Sequence, residues 1–297
     1  MPSDSDKVFQ YDFSPDILAI LLRDRTTGRN ILWATHDYES MGAGYHYSDE
    51  IRPELITGTG AGIIMPRVLK SKERQFDRSK DMAEVFTPSW VCNAQNNLID
   101  DAWSASGVKS WQDYVSATCL EITCGEAPYL VSPYDTTSGA FIPLEKRIGL
   151  LDRKLRAVCD NTQTPDQWLQ WAQIAYQNTY GYEWQGDSLL LARENLLLTF
   201  IQFFQNKFGS QPSDADISAI ALVISWNLWQ MDGLKGVVPD SCRDGVTQVV
   251  TTLFGEEEQP VFCPGCRHDD IRRHNGTYCL IRDWSTNKTI RFIDLIR

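Results

Sequence analysis

Tyr180-Gly-Tyr-Glu-Trp-Gln-Gly-Asp187, with the run that follows it to Phe208, decides the fold. Tyr180 to Trp184 is a short β-prone stretch, and Asp187 to Phe208 is a long helix. Leu189, Leu190, Leu191, Leu196, Leu197, Phe200, Ile201 and Phe204 nearly encircle that helix, the pattern of one buried against a sheet. The alternation extends in both directions. Upstream, Thr164-Pro165-Asp166 starts a helix that runs to about Tyr176, since Thr followed by Pro is a helix-opening signal. Lys146 to Cys159 alternates apolar and basic residues at helical spacing, and Trp90 to Ile99 also reads as a helix. Cys119 to Thr123 is a short strand ending in Cys124-Gly125-Glu126, and residues 131–146 are loop-like. Downstream, the apolar segment Ile217 to Ile224 leads through Ser225 to Met231, a strand closed by Asp232-Gly233. Strands alternating with helices predict crossovers and an α/β, doubly wound, mostly parallel sheet. Tyr278 to Trp284 and Thr289 to Leu295 flank Ser285-Thr-Asn-Lys288 and predict a C-terminal β-hairpin that completes the sheet.

Three units follow: an N-terminal extension over 1–80, an α/β domain over 81–240 and a Cys-rich loop with hairpin over 241–297. The acidic start Met-Pro-Ser-Asp-Ser-Asp is unlike a secretory or transit signal, and no run approaches a membrane span, so a cytoplasmic location is expected. A net charge of −11 argues against a protein that coats nucleic acid through phosphate neutralisation. One local basic patch stands out: Arg67, Lys70, Lys72, Arg74, Arg78 and Lys80, opposed only by Glu73 and Asp77. It reads equally well as a solvated face and as a phosphate-contacting arm.

In a doubly wound sheet, ligands sit beyond the carboxyl ends of the strands. Glu121, Glu183 and Asp232 fall at or near three such ends. Carboxylates only accept, and they suit the hydroxyls of a ribose and the amino group of an adenine.

The motifs around these residues resemble adenine-N6 DNA methyltransferases of the restriction–modification type. Phe86-Thr87-Pro88-Ser89-Trp90-Val91 is similar to their opening aromatic-Thr-Pro motif. Leu120-Glu-Ile-Thr-Cys-Gly-Glu-Ala-Pro-Tyr-Leu130 looks like their first cofactor loop, with Ala127 where the family usually has Gly. Tyr180 to Asp187 with Ala192-Arg-Glu-Asn-Leu196 resembles the ribose-binding strand and helix, and Trp229-Gln-Met-Asp-Gly-Leu234 the strand that meets the adenine. The resemblance, which spans roughly 80–297, implies a Rossmann-like methyltransferase fold that binds S-adenosylmethionine. It places Phe86 and Thr87 at the methionine end, and Glu121, Cys124 and Gly125 at the tail-binding turn. Glu183 would take the ribose hydroxyls and Asp232 the adenine amino group. Tyr129 and Trp184 have core packing as their ordinary role, most of all Trp184. The family's Asn-Pro-Pro-aromatic tetrapeptide, which holds a flipped adenine, is absent. Ser132-Pro133-Tyr134 is the nearest string and sits in the wrong place. The implied function is therefore a cofactor-binding subunit, inactive alone, acting on DNA with a second polypeptide that supplies the tetrapeptide. A catalytically inactive cofactor-sensing or DNA-binding protein is the alternative.

Among the eight cysteines, Cys92, Cys119, Cys124 and Cys159 lie in apolar surroundings and read as core fillers. Cys263-Pro-Gly-Cys266 is a knuckle-like pair. With His274 and Cys279 it makes a candidate structural zinc site, for which His268 and Cys242 compete.

Overall fold

The computed structural model describes residues 13–70, 87–107, 110–253 and 255–296. Among the described residues four α-helices precede the first strand: α1 (Pro15–Leu22), α2 (Pro53–Ile56), α3 (Ser89–Ala105) and α4 (Trp111–Ser116). Strand β1 (Cys119–Glu121) leads through α5 (Leu150–Asn161) and α6 (Pro165–Gln177) to β2 (Thr179–Glu183). From β2 the chain passes through α7 (Gly186–Phe208) and α8 (Asp214–Asn227) to β3 (Leu228–Gln230). The three strands form a parallel sheet in the order β1-β2-β3, with Leu120 opposite Tyr180 and Tyr182 opposite Trp229. The protein is thus mixed α/β. Among the described residues the strand order never reverses, so the doubling back of a doubly wound sheet is not seen.

Local chemistry sets the element boundaries. Thr164 caps α6 by accepting from the Gln167 N–H, with Pro165 in the first turn. Ser213 and Asp216 make a reciprocal capping box at α8. Gly209, at φ 69°, ends α7 in the left-handed conformation that suits glycine. Two predicted boundaries move. Helix α5 begins at Leu150 instead of Lys146, because the buried Asp152 carboxylate accepts from the N–H groups of Gly149 and Ser132 and fixes the start there. The segment from Ile217 stays helical to Asn227, which leaves β3 only three residues.

The core is built on α7, which packs on β2, β3 and α8. The segment read as an extension belongs to this core. Ile17, Leu18, Leu21 and Leu22 of α1 are buried with Phe200 and Ile224. Arg193 of α7, fully buried, donates to the carbonyls of Leu21, Arg23, Ser225 and Leu228. One guanidinium therefore caps the C-terminal ends of both α1 and α8, whose last carbonyls have no partners inside their own helices. The Gln230 side chain exchanges two hydrogen bonds with the Leu32 backbone, at 2.8 and 2.9 Å. A Cβ on Gly186 would come within 1.9 Å of the Leu32 carbonyl, so only glycine lets α7 start against this backbone segment.

After β3 the chain turns at Asp232 and forms two antiparallel hairpins separated by the one-turn helix α9 (Pro264–His268). The first, β4 (Val246–Thr252) with β5 (Gly255–Val261), lies where a loop was expected. The second, β6 (Leu280–Asp283) with β7 (Lys288–Arg291), is the predicted hairpin. It does not complete the parallel sheet. Among the described residues its strands pair only with each other, and isolated bridges from Val237 to Asp232 and to Tyr278 join it to the end of β3. Cys279, Ile281 and Phe292 make a second small core with Tyr182, Trp229 and Met231. Among the described residues no helix is long and apolar enough to cross a membrane.

Candidate cofactor cavity and metal centre

An open cavity of about 800 Å³ lies beyond the carboxyl ends of β1 and β2. Five residues singled out from the sequence line it together: Thr87, Glu121, Cys124, Gly125 and Glu183. Phe86 lies outside the described residues. The turn after β1 gives the cavity its floor. Thr123, Gly125 and Ala127 adopt φ of 46°, 53° and 61° in alternate positions. Only one of the three is glycine, so Thr123 and Ala127 each carry left-handed strain of about 1–2 kcal/mol. The turn is pinned to β2 at two points: the Cys124 N–H donates to the Tyr182 carbonyl at 2.8 Å, and the Gly125 N–H to Glu183 Oε2 at 2.8 Å.

Both cavity carboxyls are raised above the usual carboxylate range. For Glu121 burial is the main cause and the Glu183 charge adds to it, against the N–H groups of Tyr129 and Leu130 that favour the anion. For Glu183 burial again outweighs N–H donation from Gln185 and Gly125. Glu121 Oε2 is enclosed yet accepts nothing, and Asn96 Oδ1 is in the same state. Asn96 is fully buried on α3, donates to the carbonyls of Tyr129 and Ile148, and lines the cavity. It carried no signal in the sequence. A buried acceptor without a donor is costly, by roughly 1–3 kcal/mol; both atoms belong to residues that line the cavity, and both are enclosed behind its wall. Among the described residues that line the cavity there is no Lys, Arg or His.

Other expectations resolve differently. Asp232 does not line the cavity. Its Oδ1 accepts from the N–H groups of Leu234 and Lys235, and its Oδ2 pairs with Lys235 Nζ at 3.6 Å, so it caps its own turn. Trp184 is not a core residue: it lines the cavity, partly exposed, with its indole N–H on the Tyr47 hydroxyl at 3.0 Å. Tyr134 is buried and donates to Glu126 Oε2 at 2.6 Å, outside the cavity lining. Within the basic patch, Lys70 is buried in an ion pair with Asp187 at 3.1 Å, and Lys72, Arg74, Arg78 and Lys80 lie outside the described residues.

The late cysteines also converge. Cys242, Cys263, Cys266 and His274 bring their donor atoms within 4.8 Å of one another. Cys242 Sγ lies 3.2 Å from Cys263 Sγ and 3.5 Å from Cys266 Sγ, and His274 Nδ1 is 3.4–3.6 Å from all three sulfurs. A tetrahedral zinc with sulfur ligands at about 2.3 Å has edges of roughly 3.5–3.8 Å, so this Cys3His cluster is compatible with structural zinc. Glycine makes the closeness possible, since a Cβ on Gly265 would meet His274 Nδ1 at 2.6 Å. The His274 N–H donates to the Tyr278 hydroxyl, which in turn donates to the Ile271 carbonyl, and this holds the ligand loop. Cys279, the fourth ligand expected from the sequence, is corrected to Cys242. Its thiol is fully buried in the second core and donates to the Gln230 carbonyl at 3.3 Å.

Comparisons with protein-family models, with curated proteins and with solved structures find no match. What fold and site define is a class: an α/β protein with a strand-end cavity rich in acceptors and a separate Cys3His cluster.

Proposed function

We propose that the chain is the S-adenosylmethionine-binding subunit of a DNA adenine-N6 methyltransferase, inactive alone and completed by a second polypeptide. The observation that carries this reading is the cavity's charge pattern. Two carboxyl side chains, Glu121 and Glu183, line it, and no basic side chain among the described residues does. Phosphate-bearing cofactors want cations beside a helix N-terminus; Gln185 and Ser188 at the start of α7 line this cavity, but no cation among the described residues does. This cavity suits instead a nucleoside that is positively charged and rich in donors. S-adenosylmethionine has a sulfonium, an ammonium and two ribose hydroxyls, and when bound it supplies an activated methyl group. Glu121 would accept from its ammonium end. Glu183, whose oxygens each take one backbone N–H and retain free lone pairs, would accept from the ribose. The partner would bring the missing base-holding tetrapeptide beside β1. That strand is at the edge of the sheet, and Leu120 within it and Ile122 just after it are 43% and 64% exposed. The Cys3His cluster is assigned to one structural zinc ion.

Titration calorimetry tests the assignment. S-adenosylmethionine or its demethylated product should bind, and Glu121→Gln or Glu183→Ala should weaken binding by about 1.5–3 kcal/mol, the worth of one charge-assisted hydrogen bond. Asp232→Ala should change affinity less than about twofold, because its carboxylate is used within its own turn. ATP should not bind. Absence of cofactor binding at millimolar concentration by a folded chain would refute the reading.

A further inference from the structure

The two strands of the β4–β5 arm differ in how their outer edges are protected. Among the described residues each pairs only with the other. Strand β5, Gly255-Glu-Glu-Glu-Gln-Pro-Val261, carries three exposed carboxylates and a proline, the usual devices that stop an edge from recruiting another strand. Strand β4, Val246-Thr-Gln-Val-Val-Thr-Thr252, has no charge and no proline, and Val249 and Val250 are 56% and 36% exposed. An isolated two-stranded hairpin is marginal in water. This one has its feet fixed beside Cys242 and Cys263, and among the described residues no other strand pairs with its flanks.

The register shows which backbone groups are open. Pro260, which has no N–H, lies opposite Thr247. In an unbroken antiparallel ladder that position is a wide pair, whose backbone groups point away from the partner strand. With a period of two, Thr247, Val249 and Thr251 all turn their N–H and C=O groups toward the free edge of β4.

We propose that this edge is the seam of a homodimer, in which β4 pairs antiparallel with β4 of a second copy about a twofold axis at Val249. The sequence of β4 is complementary to itself in that register. Val249 meets Val249, Thr247 meets Thr251 and Gln248 meets Val250, all pairings that suit a β-sheet. The product is a four-stranded sheet with both β5 strands outermost. Their Glu256, Glu257 and Glu258 are then three strand spacings apart, roughly 14 Å, beyond the Debye length of about 8 Å at physiological salt. The same carboxylates and Pro260 block further strand addition, so the pair closes and no fibre grows. A strand from a different, basic protein would gain little from β4, which offers it no charge.

Sedimentation of the full zinc-loaded chain tests the proposal. It should be a dimer at tens of micromolar, and Val249→Lys, which sets two like charges across the axis, should raise the dissociation constant at least tenfold with an unchanged circular dichroism spectrum. Val249→Cys should form an inter-chain disulfide joining position 249 to itself under mild oxidation, because a hydrogen-bonded pair holds its Cα atoms at about 5.5 Å. A wild-type chain that stays monomeric, a Val249→Lys dimer of undiminished affinity, or assembly beyond two copies overturns the proposal. Should Val249→Lys fail to fold, peptide mapping of the Val249→Cys cross-link decides alone, and absence of the 249–249 link counts against the seam.

Discussion

Glu194 on α7 makes no hydrogen bond or ion pair among the described residues, and burial pushes its carboxyl up to about 8 from an ordinary 4.5. The folded chain therefore holds this proton more tightly than the unfolded chain, and stability falls as pH rises between those two values. Glu194→Gln removes that loss. In urea unfolding the variant should match the wild type near pH 4.5 and pull ahead by at most ~1.4 kcal/mol per pH unit up to pH 8. A difference that stays constant across this range would show that the side chain is solvated. At this scale the sequence was readable where a residue type is rare for its place. Glu121, Glu183 and Gly125 announced themselves at strand ends, and they meet in one cavity. Asn96 did not, because one polar residue inside an amphipathic helix looks like solvent-facing chemistry. Asp232 misled for the opposite reason, since a carboxylate after a strand looks the same whether it binds a ligand or caps a turn.

Helices were legible as elements because period and caps agree, as at Thr164-Pro165 and along Leu189 to Phe204. The arm of β4 and β5 was not. Three consecutive glutamates have low β-propensity, and pairing with a β-branched neighbour overrides it. Missing the arm also misassigned the metal ligand. Cys242 stands far from Cys263 in sequence, and only an intervening hairpin folds that distance back. Two thiols now separate the readings. Cys242→Ser should lose the metal, one equivalent per chain by elemental analysis in the wild type, and increase amide exchange across 242–278 while α7 and the parallel sheet stay protected. Cys279→Ser should keep its metal, at a cost to stability of about 1–3 kcal/mol from a polar group in an apolar core. Metal retained by the first variant and lost by the second would reinstate Cys279.

For the whole molecule, the proposed division of labour has a direct consequence. With no Asn-Pro-Pro-aromatic string in its sequence, the chain alone should transfer no measurable methyl from labelled S-adenosylmethionine to unmethylated DNA. Incorporation into N6-methyladenine by the chain alone would mean that residues other than such a tetrapeptide hold the base. The three-unit division read from the sequence did not anticipate how tightly α1 is bound into the core, because nothing local in Pro15–Leu22 names its partner. Arg193 makes that bond, and Arg193→Met should destabilise the fold by about 3 kcal/mol or more, since several buried carbonyls lose their donor at once. The same tie sets an order of events during synthesis. Residues 21–32 leave the ribosome early, but the groups that cap and flank them, Arg193, Ser225, Leu228 and Gln230, come some 200 residues later. At roughly 5–20 residues per second the first helix waits on the order of 10–40 s with its apolar face uncovered. Of the described helices α1 is made first and is among the last to be finished, so its uncovered face is the one a chaperone would meet in that interval.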